Sequence, residues 1–255
     1  MDNILLVGNT GVGKSSILNL FGASFEADFS LIDGLTTKTS CADGKQVRLI
    51  DAPGLVEISD QRIAENAEEL TKALKFSGKY KLVFVYQSNG GRLLPQDVYT
   101  TTKVCKAIGY CLDVGLIINK VDEEHMDKYD NQESRSLIAQ TLSKATNGKL
   151  SADRIIALEY CKASERHTLK PKLLSYINSL YPGAISEVMS IHASLKEINK
   201  FIKWFNSFIT AVAITGGLMS YPVTSMLGLW DKMWDSLSEA KFVQESALRL
   251  IHMSL

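Results

Sequence analysis

Five short runs in the first two thirds of the chain are apolar at all or nearly all positions: Ile4–Val7, Val47–Ile50, Leu82–Tyr86, Val114–Ile118 and Ile155–Leu158. A strand that is apolar on both faces is what a parallel sheet covered by helices on each side demands. Between these runs the apolar residues recur at helical spacing, near Lys14–Phe21, Gln61–Leu74, Pro95–Ala107, Ser134–Lys144 and Lys172–Leu180. Strand and helix in alternation predict an α/β fold, a doubly wound and mostly parallel sheet with ligands at the carboxyl ends of its strands. Tyr181-Pro182-Gly183 stops the last of these helices and is read as a boundary. Residues 1–182 then form the α/β domain, and 183–255 a C-terminal α-helical extension.

The extension has its own pattern. Ile191, Leu195, Ile198, Ile202, Phe205 and Ile209 alternate spacings of four and three, a heptad-like stripe on one long predicted helix. From Trp204 to Trp230 no residue is charged, and from Asp231 onward an amphipathic pattern returns. Two arrangements fit. The uncharged stretch exceeds the roughly 20 residues that a bilayer core requires, and tryptophans at both ends suit its interfaces. Lys196, Lys200 and Lys203 would keep the preceding flank cytosolic. Against a span, Asn206, Ser207, Thr210 and Thr215 dilute the hydrophobicity, and Gly216-Gly217 with Pro222 interrupts it. The competing arrangement is a soluble hairpin, with the heptad helix packed on the Asp231–Leu255 helix or on a second copy.

Composition narrows the class of partner. Lys plus Arg equals Asp plus Glu, 28 against 28. No global field draws the chain to nucleic acid, which is not an expected partner. Cys41, Cys105, Cys111 and Cys161 are scattered and read as free thiols of a reducing compartment. Met1 leads almost directly into a strand-like run, without the basic start of a signal peptide, so a cytoplasmic setting is expected.

The chemistry lies in three motifs, each at the end of a predicted strand. Gly8-Asn9-Thr10-Gly11-Val12-Gly13-Lys14-Ser15 matches the phosphate loop G-x-x-x-x-G-K-[ST]. Its glycines let successive amide hydrogens face one anion, Lys14 sets a point charge between the terminal phosphates, and Ser15 offers a hydroxyl to Mg²⁺. Asp51-Ala52-Pro53-Gly54 matches D-x-x-G, in which the aspartate holds Mg²⁺ through water and the Gly54 amide senses the γ-phosphate. Asn119-Lys120-Val121-Asp122 matches N-K-x-D. Asp122 can accept both the ring N–H and the exocyclic amine of guanine, a pair that adenine cannot offer. Lys120 would lay its stem over the base, and Asn119 would tie this loop to the phosphate loop. The expected ligands are GTP and GDP, with Mg²⁺ as cofactor.

With these residues in place, the first 180 or so residues resemble the AIG-type G domains, the immunity-associated GTPases allied to septins and chloroplast import receptors. Lys14-Ser15-Ser16-Ile17-Leu18-Asn19 is close to that family's GKS-x-x-x-N, which adds Ser16 to the nucleotide set. Leu35-Thr36-Thr37-Lys38-Thr39 is similar to its switch I, and Gly91-Arg92-Leu93-Leu94-Pro95-Gln96-Asp97 to its own box G-R-F-T-x-x-D. The resemblance implies a switch I threonine on Mg²⁺, Thr36 or Thr37, of which Thr37 is carried forward. It also implies G domains that pair face to face across the nucleotide, so a homodimer or nucleotide-dependent oligomer is expected. Arg92 is then the candidate arginine finger from a second copy, beside Lys14, Thr37 and Gly54 in the catalytic set. The last base-contacting loop is assigned by position to Tyr160-Cys161-Lys162. A glutamine after D-x-x-G orients water in Ras-like GTPases, but here the residue is Leu55, so slow hydrolysis by the monomer is expected.

Overall fold

The computed structural model describes residues 1–25, 38–44, 47–89, 93–162 and 164–216. The chain divides into two compact units, Met1–Ile202 and Lys203–Leu255. In the first, the described strands are β1 (Asp2–Val7), β2 (Ser40–Asp43), β3 (Val47–Asp51), β4 (Lys79–Gln87), β5 (Val114–Val121), β6 (Ile155–Glu159) and β7 (Gly183–Ala184). The helices are α1 (Lys14–Leu20), α2 (Asp60–Ala73), α3 (Pro95–Ala107), α4 (Met126–Asp130), α5 (Gln132–Thr141), α6 (Ser143–Thr146), α7 (Lys170–Ser179) and α8 (Leu195–Gly216), the last running into the second unit.

The sheet order is β2-β3-β1-β4-β5-β6, with β1 parallel to β3 and β4, and β5 parallel to β4 and β6. The mostly parallel, doubly wound sheet is the one predicted. Its central strands are buried along nearly their whole length because both faces are apolar: Leu5, Leu6, Val83, Val85 and Ile117 are all inaccessible. On one face Ile17 and Leu18 of α1 and Leu173, Tyr176 and Ile177 of α7 close the core over β1, β4 and β5. Each such side chain contributes roughly 1.5–3 kcal/mol on burial. The chain leaves β1 for β3 on one side and returns past it to β4 on the other. That reversal opens a crevice at the carboxyl end of β1, where α/β folds bind ligands.

Local chemistry sets the element ends. The Ser59 side chain accepts from the Arg62 amide (3.2 Å) and caps α2, and Pro95 opens α3, where its missing N–H costs nothing. Three elements differ from the sequence expectation. The helix placed near Ser134–Lys144 is two, α5 and α6, with Leu142 between them. Strand β2 is antiparallel to β3 and has no apolar run, because three of its four residues are exposed. The heptad stripe begins one turn too early. Ile191 precedes the helix, its N–H donates to Thr71 Oγ1 (3.0 Å), and α8 starts after Ser194, whose Oγ accepts from the Glu197 amide (3.3 Å). Phe201, off the stripe, is buried and meets Tyr99 edge-on, ring centroids 5.4 Å apart.

Residues 183–202, assigned from sequence to the extension, are laced to the α/β layers. The Met189 amide donates to Ala107 O (2.8 Å) and the Leu195 amide to Asp60 Oδ1 (2.7 Å). In the second unit the described part is the end of α8, where Trp204 stands edge-on to Phe205. No helix among the described residues is long and apolar enough to cross a membrane. Residues 217–255 lie outside the described residues, and with them most of the stretch on which the two tail arrangements turn.

Candidate functional site

The phosphate loop leaves β1 between the neighbouring strands, and two glycines are dictated by what lies beside them. A Cβ on Gly8 would stand 2.3 Å from Val85 O, a main-chain atom of β4. Gly13 has φ +97°, in the left-handed region, and its Cβ would meet Asn119 Nδ2 at 2.5 Å. Inside the loop Lys14 is buried, and its Nζ donates to Gly8 O (3.0 Å) and Asn9 O (3.1 Å). Burial lowers its pKa, opposed by the charges of Asp51, Asp97 and Glu57.

At the end of β3, Asp51 Oδ2 accepts from Ser15 Oγ at 2.6 Å. Two hard oxygen donors meet there, the ligand type Mg²⁺ takes, and they fit an ion that obtains its remaining ligands from water and phosphate. Among the described residues no cluster of three or more His, Cys, Asp or Glu could hold a metal by itself. The D-x-x-G turn lies tight on the loop: a Cβ on Gly54 would be 2.4 Å from Thr10 N, while Gly54 O accepts from Asn66 Nδ2 (2.6 Å). Thr10 Oγ1 donates to the Glu57 carboxylate. Thr36, Thr37 and Arg92 lie outside the described residues.

The base end is joined to the phosphate end by direct bonds. Asn119 Nδ2 donates to Val12 O (2.8 Å), and Lys120 Nζ to Gly11 O (2.7 Å). Lys120 itself has φ +58°, a strained setting for a residue with a Cβ. Beside them opens a shallow slot, partly continuous with solvent. Ser16, Lys120, Glu159, Tyr160, Cys161 and Arg166 help to line it. Asp122 does not line the slot; its side chain is exposed at the start of the 3₁₀ turn Glu123–His125.

Two residues escape the sequence reasoning. Arg166 donates from Nη1 to Ser16 Oγ at 3.4 Å, and after burial it is the second cause lowering the pKa of Lys120. It opens the short 3₁₀ turn Arg166–Leu169 ahead of α7, and no motif spacing points to it. Asp97 belongs to the recognised box, but its place does not follow from the box. It is 1 % exposed, and its Oδ1 accepts from Asn9 Nδ2 at 2.7 Å.

A parallel sheet with a phosphate loop after its first central strand, D-x-x-G after β3 and N-K-x-D at the end of β5 defines a P-loop GTPase G domain. The AIG1 family profile matches residues 2–184, so the chain belongs to the AIG1 family, as its motifs predict. GTPase Der of Campylobacter curvus (strain 525.92) is 34% identical over 134 residues, 49% of this chain and 26% of that protein. GTPase Der of Rickettsia akari (strain Hartford) is 32% identical over 124 residues, 47% and 26%. The match thus takes in about a quarter of these relatives' length. Among solved structures, Toc33 from Arabidopsis thaliana in complex with GDP and Mg²⁺ is 15% identical, with TM-score 0.45 over 73% of this chain and 88% of that one. NFeoB from S. thermophilus bound to GDP·AlF₄⁻ and K⁺ is also 15% identical, with TM-score 0.45 over 99% and 90%. The family places the chain among GTP-binding G proteins.

Proposed function

We propose that this protein exchanges GDP for GTP, hydrolyses GTP slowly as a monomer, and changes its self-association with the nucleotide bound. The observation that carries this reading is one connected site. Lys14 lies in the phosphate cradle, Ser15 meets Asp51, and Asn119 and Lys120 are bonded to the same loop. Ser15, Asp51 and Thr37 hold Mg²⁺, and the ion supplies charge against the phosphates. Gly8 to Gly13 and Ser16 wrap the phosphates with N–H groups, and Asp122 closes on the guanine edge when the base enters the slot. Leu55 is 0 % exposed and apolar, so the position after Gly54 has no group that orients water. This supports slow turnover, and equally a second reading in which the chain is a GTP-bound scaffold with negligible turnover.

Arg92 of a second copy supplies the missing positive charge, because a guanidinium stabilises charge developing on the transferred group. The setting is cytoplasmic, at the cytosolic face of an intracellular membrane if the 204–230 segment inserts. Single-turnover hydrolysis at rising protein concentration tests the switch. The expected rate per site climbs with concentration in the wild type and stays flat in Arg92→Ala. A wild-type rate that is flat and near the uncatalysed value leaves the scaffold. Equal affinity for GTP and ATP removes both readings.

Arg166 carries an expectation of its own. A guanidinium beside Ser16 bonds phosphate oxygens, and a hydrogen bond to a charged group contributes about 1.5 kcal/mol, or roughly tenfold in affinity. Arg166→Ala is expected to weaken GTP and GDP by about that factor and leave guanosine unchanged, as read by calorimetric titration. Equal losses for all three ligands would mean that Arg166 shapes the slot instead.

A further inference from the structure

The side chain of Asn9 lies beneath the phosphate loop with every polar atom engaged. Its Nδ2 donates to Asp97 Oδ1 (2.7 Å), and its Oδ1 accepts from Thr100 Oγ1 (2.9 Å) and from the Val56 amide (3.3 Å). An amide can be turned end for end, so something must choose the orientation. An ionised carboxylate accepts and cannot donate. Turned over, Asn9 would set its oxygen against Asp97 and its N–H₂ against the Val56 N–H, two repulsive contacts. Ionised Asp97 thus adds to the Val56 N–H in holding the oxygen toward Val56, two residues past Gly54. The Asn9 backbone oxygen meanwhile bonds Lys14.

We propose that Asp97 is a positioning residue for the γ-phosphate sensor: acting through the Asn9 amide, it holds the Gly54–Val56 segment against the phosphate loop. This rests on the GTP-binding reading given above and adds to it the residue that biases the segment toward its closed approach. The close fit of Gly54 on Thr10 N is that approach. With the bias removed, the segment opens more readily, and a ligand that needs it closed loses more than one that does not.

The buried surroundings of Asp97 favour its neutral form. Burial raises its pKa to about 7, while the Asn9 bond, the Lys14 charge and the Gln87 amide pull it down. The titratable groups facing it are Lys14 from the loop and Tyr86 from β4. Its Oδ2 is buried with no hydrogen-bond partner among the described residues. A neutral carboxyl carries both a donor and an acceptor, so it satisfies Asn9 in either orientation, and so does an asparagine at 97. The folded protein holds this proton more tightly than the unfolded chain does. Stability from this group is complete in acid and is lost as pH rises through about 7.

The test is the affinity of a non-hydrolysable GTP analogue against GDP, with Mg²⁺, on the full chain. Asp97→Asn is expected to weaken the analogue by about five- to twenty-fold and GDP by less than two-fold, and to melt no lower than wild type at pH 8. Wild-type preference for the analogue should rise from pH 6 to pH 8, and that of Asp97→Asn should be flat. In an Asn9→Ala background, Asp97→Asn should have no further effect, because the route through Asn9 is gone. Equal weakening of both nucleotides, or an undiminished effect without Asn9, overturns the proposal. Should Asp97→Asn fail to fold, Thr100→Val removes the side-chain donor to the Asn9 amide oxygen, and unchanged selectivity there overturns it too. Wild type that ignores guanine nucleotides sinks the GTP-binding reading itself; normal wild-type binding with an indifferent Asp97→Asn sinks only the role of Asp97.

Discussion

Asp122→Asn is expected to cut GTP affinity by about 100-fold and to create affinity for xanthosine triphosphate, with no change in melting temperature. The carboxylate offers two acceptors to two donors on the guanine edge, and each charge-assisted bond contributes about 1.5–3 kcal/mol. Two such bonds lie between about 10² and 10⁴ in affinity, and the solvent exposure of Asp122 sets the lower end. Asparagine turns one acceptor into a donor, which guanine repels and the C2 carbonyl of xanthine accepts. The exposed side chain closes no core, so folding is indifferent to the change. Competition titrations with GTP, XTP and ATP read the outcome. A GTP affinity within threefold of wild type would remove Asp122 from base recognition.

Gly8→Ala is expected to cost about 2–4 kcal/mol of stability, the upper range for forcing one methyl into a filled space. The added Cβ meets Val85 O at 2.3 Å and Val12 Cγ2 at 3.0 Å. Val85 lies within β4 and pairs with Ile117 of β5, so its carbonyl cannot step aside without disturbing the ladder. For a domain of this size each kcal/mol moves the midpoint by about 2–4 °C, so thermal melts should fall by roughly 5–15 °C. Gly11→Ala is the control. Gly11 has a positive φ, but no atom of the described residues stands within 4 Å of an added Cβ, so about 1–2 kcal/mol is the expected cost. If both variants melt alike, the close approach of loop and β4 is not what demands glycine.

The sheet and the motifs are legible in the sequence for different reasons. Strands such as Leu82–Tyr86 announce themselves because burial on both faces leaves no polar position, and the phosphate loop because anion chemistry tolerates few residues at each place. Strand β2 is silent because it is half in solvent, where nothing selects apolar side chains. Ile191 misleads because heptad spacing continues across Ser194, although the chain there is not yet helical and spends its N–H on Thr71. Within the site, Ser15 beside Asp51 follows from their motifs. Asp97 beneath Asn9 does not, since the contact joins residues 88 apart and depends on how α3 lies over the loop. Arg166 beside Ser16 does not either, since it opens a 3₁₀ turn and the contact joins residues 150 apart.

Strand β2 also bears on how two copies could meet. It forms one border of the described sheet with four residues, three of them exposed, and its last residue is tied back across the pair by Arg48 to Asp43. A border this short and hydrophilic gives a neighbour's main chain little to zip onto. If copies pair as proposed, an association that tracks the nucleotide is expected to use side-chain surfaces around the crevice, which bound phosphates can reshape, and not lateral growth from this border.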